Sequence, residues 1–581
     1  MQKYICSHCD DLECETGICP VCGGKTTPVK SMIYWCKKCN APSYKESCDK
    51  CGSPCDVIAA DLRPVFPEER LLLEILMDCP MKYKDSSIWA SGGGYYIIDG
   101  ERHHFSYTDL SKMDSNHVIQ KLKVYKQENQ PYVDGFYDFD WVRNFIEINR
   151  LSFCTKEYEA LEFIRQQTEG VALESMFVSF SGGKDSTVTS SLVMDALSRE
   201  DIVHIYGDTT LEYPSTGDYI KEFRKVHPGT PMLVAKNRDQ DFSDLCRKIG
   251  PPSRVMRWCC TVFKTGAINH KIETMFKGEK SIVTFHGIRR SESASRSKYE
   301  RVSVSPKITK QRVCQPILDW NNFDVWLYMI TKGIPFNRAY REGFSRVGCW
   351  CCPNNSDWAG YLSKVYMHDE EEAFRNLLYD FAKEVGKEDW KDYIDNGNWK
   401  ARQGGNGLDM SKNAIVEFKP CAMEENAFNF ELSRPITEHL YNLFVPFGII
   451  DYNLGNARLG EVFILDKKTH APLLKLSGKV GQNHLKVTII NFTGPFRNKN
   501  KVEPMVKAQI TKFQTCIGCS ACASVCKHAA ITVENLKVGE VSTESIHYYI
   551  NPDKCVGCLD CILHFDSGCY MKKVLRTKLE D

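Results

Sequence analysis

A short apolar run, Met176 to Phe180, leads without a spacer into Ser181-Gly182-Gly183-Lys184-Asp185-Ser186-Thr187, and a helical pattern then continues to about Leu197. That order predicts strand, glycine turn and helix. Two adjacent glycines let backbone N–H groups turn toward one anion, and the helix dipole favours negative charge at the same end. The segment is a candidate phosphate cradle, with Asp185 and Ser186 placed for Mg²⁺ and phosphate oxygens. It is not a Walker A loop, because Gly-x-x-x-x-Gly-Lys-Ser/Thr is absent. A glycine turn before an ordinary helix is the plainer alternative. Strand-like runs at Ile202 to Tyr206, Met232 to Ala235 and Ser281 to Gly287, with helical patterns at Ser215 to Val226 and Phe242 to Lys248, extend the alternation. They predict an α/β fold with a parallel, twisted, helix-covered sheet.

The loop Ser-Gly-Gly-Lys-Asp-Ser resembles the PP-loop of ATP pyrophosphatases. That resemblance implies an adenine nucleotide alpha hydrolase-like sheet and a grip on a β,γ-pyrophosphate, so that the α-phosphate is attacked. Ser181, Gly182, Gly183, Lys184, Asp185, Ser186 and Thr187 would then bind the nucleotide, with Lys184 and Asp185 acting in catalysis. Asp208-Thr209-Thr210-Leu211-Glu212-Tyr213-Pro214-Ser215-Thr216 resembles the segment beside the nucleotide in the phosphoadenosine phosphosulfate (PAPS) reductase family, which adds Asp208 and Thr209 to the site. Gly287-Ile288-Arg289-Arg290-Ser291-Glu292-Ser293-Ala294-Ser295-Arg296 is similar to that family's Gly-x-Arg-Arg-x-Gln/Glu-Ser-x-x-Arg motif. It implies that Arg289, Arg290 and Arg296 clamp a phosphate or sulfate; a solvated surface is the bland reading of the same arginines. Pro316 to Trp320 and Asp324-Val325-Trp326 match the family's later helix start, so the resemblance covers roughly residues 150 to 360.

The chain carries 28 cysteines, mostly in CxxC groups, and no apolar run of membrane-spanning length. The start, Met1 to Cys9, lacks a signal-peptide pattern. Metal or redox use in a reducing, cytoplasmic setting is therefore expected over a disulfide framework. Within the PAPS reductase-like segment, Cys259 and Cys260 with Cys349 and Cys352 are similar to the [4Fe–4S] ligands of assimilatory adenylylsulfate (APS) reductases. Lys264 matches a basic residue of that pattern, and Cys351 is an extra thiol; it would carry sulfur as an alternative to the cluster, or with Cys314 be a buried apolar filler. Structural zinc on the same four ligands is the alternative, although adjacent cysteines fit a closed tetrahedron poorly.

At the C-terminus, Cys516, Cys519, Cys522 and Cys526 follow C-x2-C-x2-C-x3-C, and Cys555, Cys558, Cys561 and Cys569 repeat it with a longer last gap. The spacing resembles a two-cluster bacterial ferredoxin, whose interlock gives one [4Fe–4S] to Cys516, Cys519, Cys522 and Cys569 and the other to Cys526, Cys555, Cys558 and Cys561. The proline that usually follows the fourth cysteine is replaced by Lys527 and Tyr570. At the N-terminus, Cys6, Cys9, Cys19 and Cys22, then Cys36, Cys39, Cys48 and Cys51, have the spacing of two zinc ribbons, with rubredoxin-like iron as the alternative. The first 55 residues hold ten cysteines and few aliphatics, so this end needs a metal staple.

These signals divide the chain into tandem ribbons at 1–58, a small α/β module at 59–150, the nucleotide domain at 151–365, a helical then α+β region at 366–505, and a ferredoxin-like domain at 506–581. A net charge of +1 argues against a wholesale polyanion-binding surface. Three functions fit. In the first, ATP activates an acceptor with release of AMP and pyrophosphate, and sulfur is then transferred to it; a tRNA base, DNA, a metabolite or a protein would accept it. In the second, a sulfonucleotide (APS or PAPS) binds ready-made and is reduced by the ferredoxin domain or another electron carrier. In the third, the chain is an iron–sulfur sensor that binds nucleic acid through its ribbons. The complete loop favours the first, and the Glu-Cys-Gly-x-His nucleophile of sulfonucleotide reductases is missing from the C-terminus.

Overall fold

The computed structural model describes residues 4–6, 9, 12–14, 19–24, 27–28, 32–238, 240–279, 281–304, 311–402, 417–491, 499–516, 518–535 and 546–563. At its centre a six-stranded sheet runs in the order Met232–Lys236, His204–Asp208, Met176–Phe180, Ile282–His286, Gln311–Cys314 and Val302–Val304. The first five strands are parallel and the last is antiparallel. Phe177, Val178 and Phe180 are all buried, because helices cover both faces of a parallel sheet. Helices Lys184–Leu197, Pro214–Val226, Gly266–Met275 and Asn322–Lys332 do the covering. The chain starts in the middle, winds outward through His204–Asp208 and Met232–Lys236, and returns on the other side with Ile282–His286. The gap between Met176–Phe180 and Ile282–His286 is therefore a topological switch point, where a crevice opens at the carboxyl ends of the strands.

The α/β alternation read from the sequence is present, with local differences. The helical pattern of Lys156 to Gln167 extends in the structure over Arg150–Thr168. Its extra turn is held by tertiary contacts: Phe153 is buried against Tyr328, and the Asn149 side chain bonds Pro42 O at 2.9 Å and Phe145 O at 2.8 Å. The segment Gly92 to Gly100, whose sequence reads as a strand between turns, holds strand Tyr95–Ile98 between turns at Gly93–Gly94 and Asp99–Gly100. Ile88–Gly92 turns at Gly93 and Gly94 into Tyr95–Ile98, within an antiparallel sheet that also holds Arg63–Pro64 and Glu101–His104.

The second N-terminal cysteine set forms a three-stranded knuckle of Ala41–Ser43, Ile33–Cys36 and Asp56–Ala59. It is built into the body of the protein. Ile33, Trp35 and Cys36 lie in one apolar core with Trp89, Phe145, Phe323 and Trp326. Asn144 Nδ2 donates to Cys39 O at 2.7 Å, and the Tyr44 hydroxyl bonds the Asp324 carboxylate.

Beyond helices His368–Glu384 and Trp390–Asp395, a six-stranded antiparallel sheet spans Glu417–Pro420 to His484–Ile489. It does not stand apart as an insert. Its core is continuous with Phe242, Trp258 and Phe263 on one side and with Val506, Ile550 and Ile562 of the C-terminal region on the other. Among the described residues, no helix is long and apolar enough to cross a membrane.

Candidate functional site

The glycine loop occupies the switch point. Gly182 adopts φ +70°, a left-handed backbone that favours glycine, and a Cβ there would lie 3.0 Å from Thr216 Cγ2. Across the crevice, a Cβ on Gly287 would lie 2.4 Å from the Asp185 carbonyl oxygen, so only glycine lets the loop and the Gly287–Arg290 segment meet. Gly183 starts helix Lys184–Leu197, and no side chain caps it. The loop is held from within: Ser186 Oγ donates to Gly183 O at 2.8 Å and accepts from Ser181 N at 3.1 Å. Tyr340 supports it from outside, its hydroxyl accepting from Lys184 N at 3.0 Å. Thr187 is buried against the Tyr219 hydroxyl at 2.9 Å.

The charges of the loop pair with one another. Asp185 Oδ1 accepts from Arg289 Nε at 2.6 Å, and its Oδ2 faces Lys184 Nζ at 3.2 Å. Burial pushes the Asp185 carboxyl up, but Lys184 and Arg289 outweigh it and hold the group below the usual carboxylate range. Burial lowers the Lys184 ammonium despite the neighbouring Asp185. Arg289 is 3% exposed, and all three of its guanidinium nitrogens are engaged: Nε by Asp185, Nη1 by Ser291 Oγ at 3.1 Å and Nη2 by Asn322 Oδ1 at 3.2 Å. Arg290 turns the other way, to Asp319 Oδ1 at 2.7 Å and to the backbone carbonyls of Ser297 and Tyr299. Arg296 pairs with Glu292. Of the three arginines expected to clamp an anion, Arg289 thus braces the loop, Arg290 braces its own segment, and Arg296 stays partly open at the rim.

The cysteine segment 349–352 lies against the same crevice. Glu212 and Cys349 form a β-bridge, and Trp350 N donates to Leu211 O at 3.0 Å. Thr209 Oγ1 donates to Glu212 Oε1 at 2.6 Å and lies 3.5 Å from Cys349 Sγ. Asp208 pairs with Lys236 at 3.1 Å. Cys259 precedes a π-helical turn, Cys260–Thr265, a distortion that often marks functional sites. Its thiol is pushed up by Cys260, by burial and by Cys349 and Cys351, and both Cys259 and Cys349 pack against the same apolar core. Burial and Glu212 raise the Cys349 thiol to about 11, while Lys264 pulls it down. Cys351 is 7% exposed in an apolar core shared with Cys246, and burial and neighbouring thiols keep it protonated. Those are the surroundings of a packing thiol, since reactive cysteines need an exposed thiolate.

The two ends of the chain handle cysteine differently. Sulfurs of Cys36, Cys39, Cys48 and Cys51 lie within 4.8 Å of one another, with Cys36 to Cys51 at 3.5 Å and Cys39 to Cys48 at 3.8 Å. A Zn–S bond of about 2.3 Å in a tetrahedron puts sulfurs about 3.8 Å apart, so these residues fit that ion. The Ser53 side chain and backbone pull the Cys51 thiol down to about 6, toward the thiolate a metal needs. Cys9, Cys19 and Cys22 form a similar group; the Cys6 side chain lies outside the described residues. Among the described residues no other cysteine set is this tight. Cys526, Cys555, Cys558 and Cys561 instead line one cavity, and Cys516, Cys522 and Cys561 all surround Tyr548. Wider spacing suits a cubane, whose four thiolates sit on separate irons. Cys569 lies outside the described residues.

Sequence reasoning missed Tyr340, Asn322, Asp61 and Arg346. Arg346 is exposed, and next to burial it is the largest influence lowering the Arg296 guanidinium. Its place three residues before Cys349 was the available signal. Nothing in the local sequence marks the others.

Comparison with known proteins agrees with this geometry. Residues 175–355 match the family described as "Phosphoadenosine phosphosulfate reductase domain", and residues 515–564 match "4Fe-4S dicluster domain". The chain therefore carries a PAPS-reductase-family domain joined to a C-terminal 4Fe-4S ferredoxin domain. An uncharacterised protein of Methanocaldococcus jannaschii is 30% identical over 318 residues, 53% of this chain and 62% of the relative, so the chain spans less than two thirds of that relative's length. A second uncharacterised protein of that organism is 30% identical over 267 residues, 46% of this chain and 61% of the relative. The adenosine 5'-phosphosulfate reductase of Oceanobacillus iheyensis is 27% identical over 191 residues, 31% of this chain and 75% of the relative. Among solved structures, a PAPS reductase from Candida auris matches with a TM-score of 0.27 and 14% identity, over 33% of this chain and 88% of that one.

Proposed function

We propose that the chain is a sulfonucleotide reductase that binds an adenylyl sulfate at the Ser181–Thr187 loop and draws electrons from its own C-terminal region. The observation that carries this reading is the packing of helix Ala521–Val525 onto the Cys260–Thr265 turn and helix Gly266–Met275. A Cβ on Gly266 would lie 2.3 Å from Ser524 Cβ, and Gln240 Nε2 donates to Gly518 O at 3.0 Å. The nucleotide loop, the Cys259/Cys260/Cys349/Cys352 thiols and the C-terminal cysteines are thus parts of one body. Clusters on the C-terminal and core thiolates supply single electrons when bound. Breaking the sulfur–oxygen bond of a sulfonucleotide takes two: sulfur passes from the +6 to the +4 state and leaves as sulfite, and the phosphate oxygen keeps the bonding pair as AMP. A reduced one-electron carrier is the source. The chain's own residues bind and orient. The loop amides and Lys184 hold the phosphate, and Arg296 and Arg346 face the anionic end beside Cys349. In the N-terminal knuckle, Cys36, Cys39, Cys48 and Cys51 hold structural zinc.

The ATP-dependent sulfur-transfer reading has less support. Both oxygens of Asp185, which would position Mg²⁺, are spent on Arg289 and Lys184, and one of its two possible sulfur carriers, Cys351, is buried. The nucleic-acid reading loses its second ribbon to the protein's interior. Anaerobic incubation of the full chain with APS and reduced methyl viologen should release sulfite and AMP in equal amounts. ATP–pyrophosphate exchange without sulfite would instead establish the ATP reading.

A further inference from the structure

Asp61 lies in the short link between knuckle strand Asp56–Ala59 and Arg63–Pro64 of the adjoining sheet. Its Oδ1 accepts from Phe323 N at 3.0 Å, and its Oδ2 accepts from Asn322 N at 3.2 Å and Asn322 Nδ2 at 2.9 Å. Because Asp61 takes the amide's donor end, the Asn322 oxygen is fixed facing Arg289 Nη2, at 3.2 Å. Arg289 Nε in turn reaches Asp185 of the loop at 2.6 Å. The Asp61 charge also acts on Lys184. A continuous chain of charge-assisted bonds therefore runs from the cysteine knuckle to the nucleotide loop. Every link in it is part-buried, where such bonds are strongest.

We propose that Asp61 is a positioning residue of the nucleotide site, supplied by the cysteine knuckle, and that metal at Cys36, Cys39, Cys48 and Cys51 sets the loop's affinity for anionic nucleotides through it. The proposal rests on the reading of Ser181–Thr187 as a nucleotide loop. Its physical basis is that an ion on the four thiolates ties the Cys36/Cys39 turn to the Cys48/Cys51 turn, and without it those turns are joined only by packing. Strand Asp56–Ala59 is held by pairing with Ile33–Cys36, which carries the first ligand, so losing the ion frees one anchor of Asp61. Arg289 is then no longer fixed, and Asp185 and Lys184 lose their set geometry. Linkage makes the effect reciprocal: a bound nucleotide tightens the metal.

The test uses the full chain, zinc-loaded, with APS as the probe. Asp61→Asn replaces the Oδ2 acceptor with a donor facing the Asn322 donors. Its dissociation constant for APS should rise about tenfold, as expected for a relayed charged bond, with zinc content and thermal midpoint unchanged. In the wild type, APS should slow zinc release to 4-(2-pyridylazo)resorcinol; in Asp61→Asn it should not. Asn322→Ala should show the same loss and add nothing when combined with Asp61→Asn, which also decides the matter if Asp61→Asn fails to hold zinc. Lys37→Ala, an exposed change on the same knuckle, should bind APS normally. Normal APS affinity in both Asp61→Asn and Asn322→Ala, or wild-type zinc release indifferent to APS, overturns the proposal alone. A wild type that binds neither APS nor ATP overturns the loop reading and the proposal with it.

Discussion

The two cysteine-rich ends share a CxxC vocabulary and differ in geometry. At the N-terminal knuckle, sulfurs stand 3.5 Å and 3.8 Å apart and the surrounding strands are sealed into the core of the PAPS-reductase-family domain. At the C-terminus, Cys526, Cys555, Cys558 and Cys561 line a cavity, and Cys558 is exposed. The lesson is that ligand spacing along the chain does not decide between a single ion and a cluster. The separation of the sulfurs in space does, because one ion needs a tight tetrahedron and a cubane needs room. The core cysteines side with the C-terminus on this measure. Cys259, Cys260, Cys349 and Cys352 form no tight group.

The strongest attack on that comparison is to remove one ligand from each end. Cys558→Ser should cost about four irons and abolish sulfite formation while leaving zinc in place. Cys48→Ser should do the reverse, losing one zinc with iron unchanged. Metal analysis after anaerobic purification reads both, and iron loss in Cys48→Ser would show that the ends are not separate. A next effect concerns the core that encloses the knuckle. Trp326 is fully buried against Phe66, Phe336 and Tyr340, and Trp326→Ala should destabilise this half by about 3–5 kcal/mol in urea unfolding. The iron content should stay unchanged, because the C-terminal cysteines belong to the other core.

The fold of the PAPS-reductase-family domain was legible because its signals are local. Apolar runs, a glycine pair and a helical pattern give strand, turn and helix without reference to distant residues. Arg289 shows where legibility ends. The motif marks a guanidinium, but its partners are Asp185, Ser291 and Asn322, and Asn322 is set by Asp61 from another module. Such partners are chosen by tertiary packing, and no period or spacing records them.

Acid should sharpen the contrast on the knuckle side. Burial lowers the His204 imidazole to about 4, and it sits between Ser190 Oγ and Ile202 O as a neutral ring. The unfolded chain binds this proton below about pH 6.5, so stability is complete above that pH and is lost as pH falls toward 4, by roughly 3 kcal/mol. Thermal melts of wild type and His204→Asn across that window check it: the variant should show a shallower acid slope. A smaller effect is local to the loop. Gly287→Ala places a Cβ 2.4 Å from the Asp185 carbonyl and should cut turnover on the order of a hundredfold by shifting the loop, with zinc and iron unaltered.

If the Ser181–Thr187 loop and the cysteine thiolates serve one reductive reaction, single-turnover sulfite release will show it. Anaerobic full-length protein, reduced to completion and freed of reductant, should release sulfite from APS on mixing, with loss of reducing equivalents at two electrons per sulfite. The oxidised protein should release none. Sulfite from the oxidised protein, or a reduced protein that stays reduced in the presence of bound APS, would contradict the account.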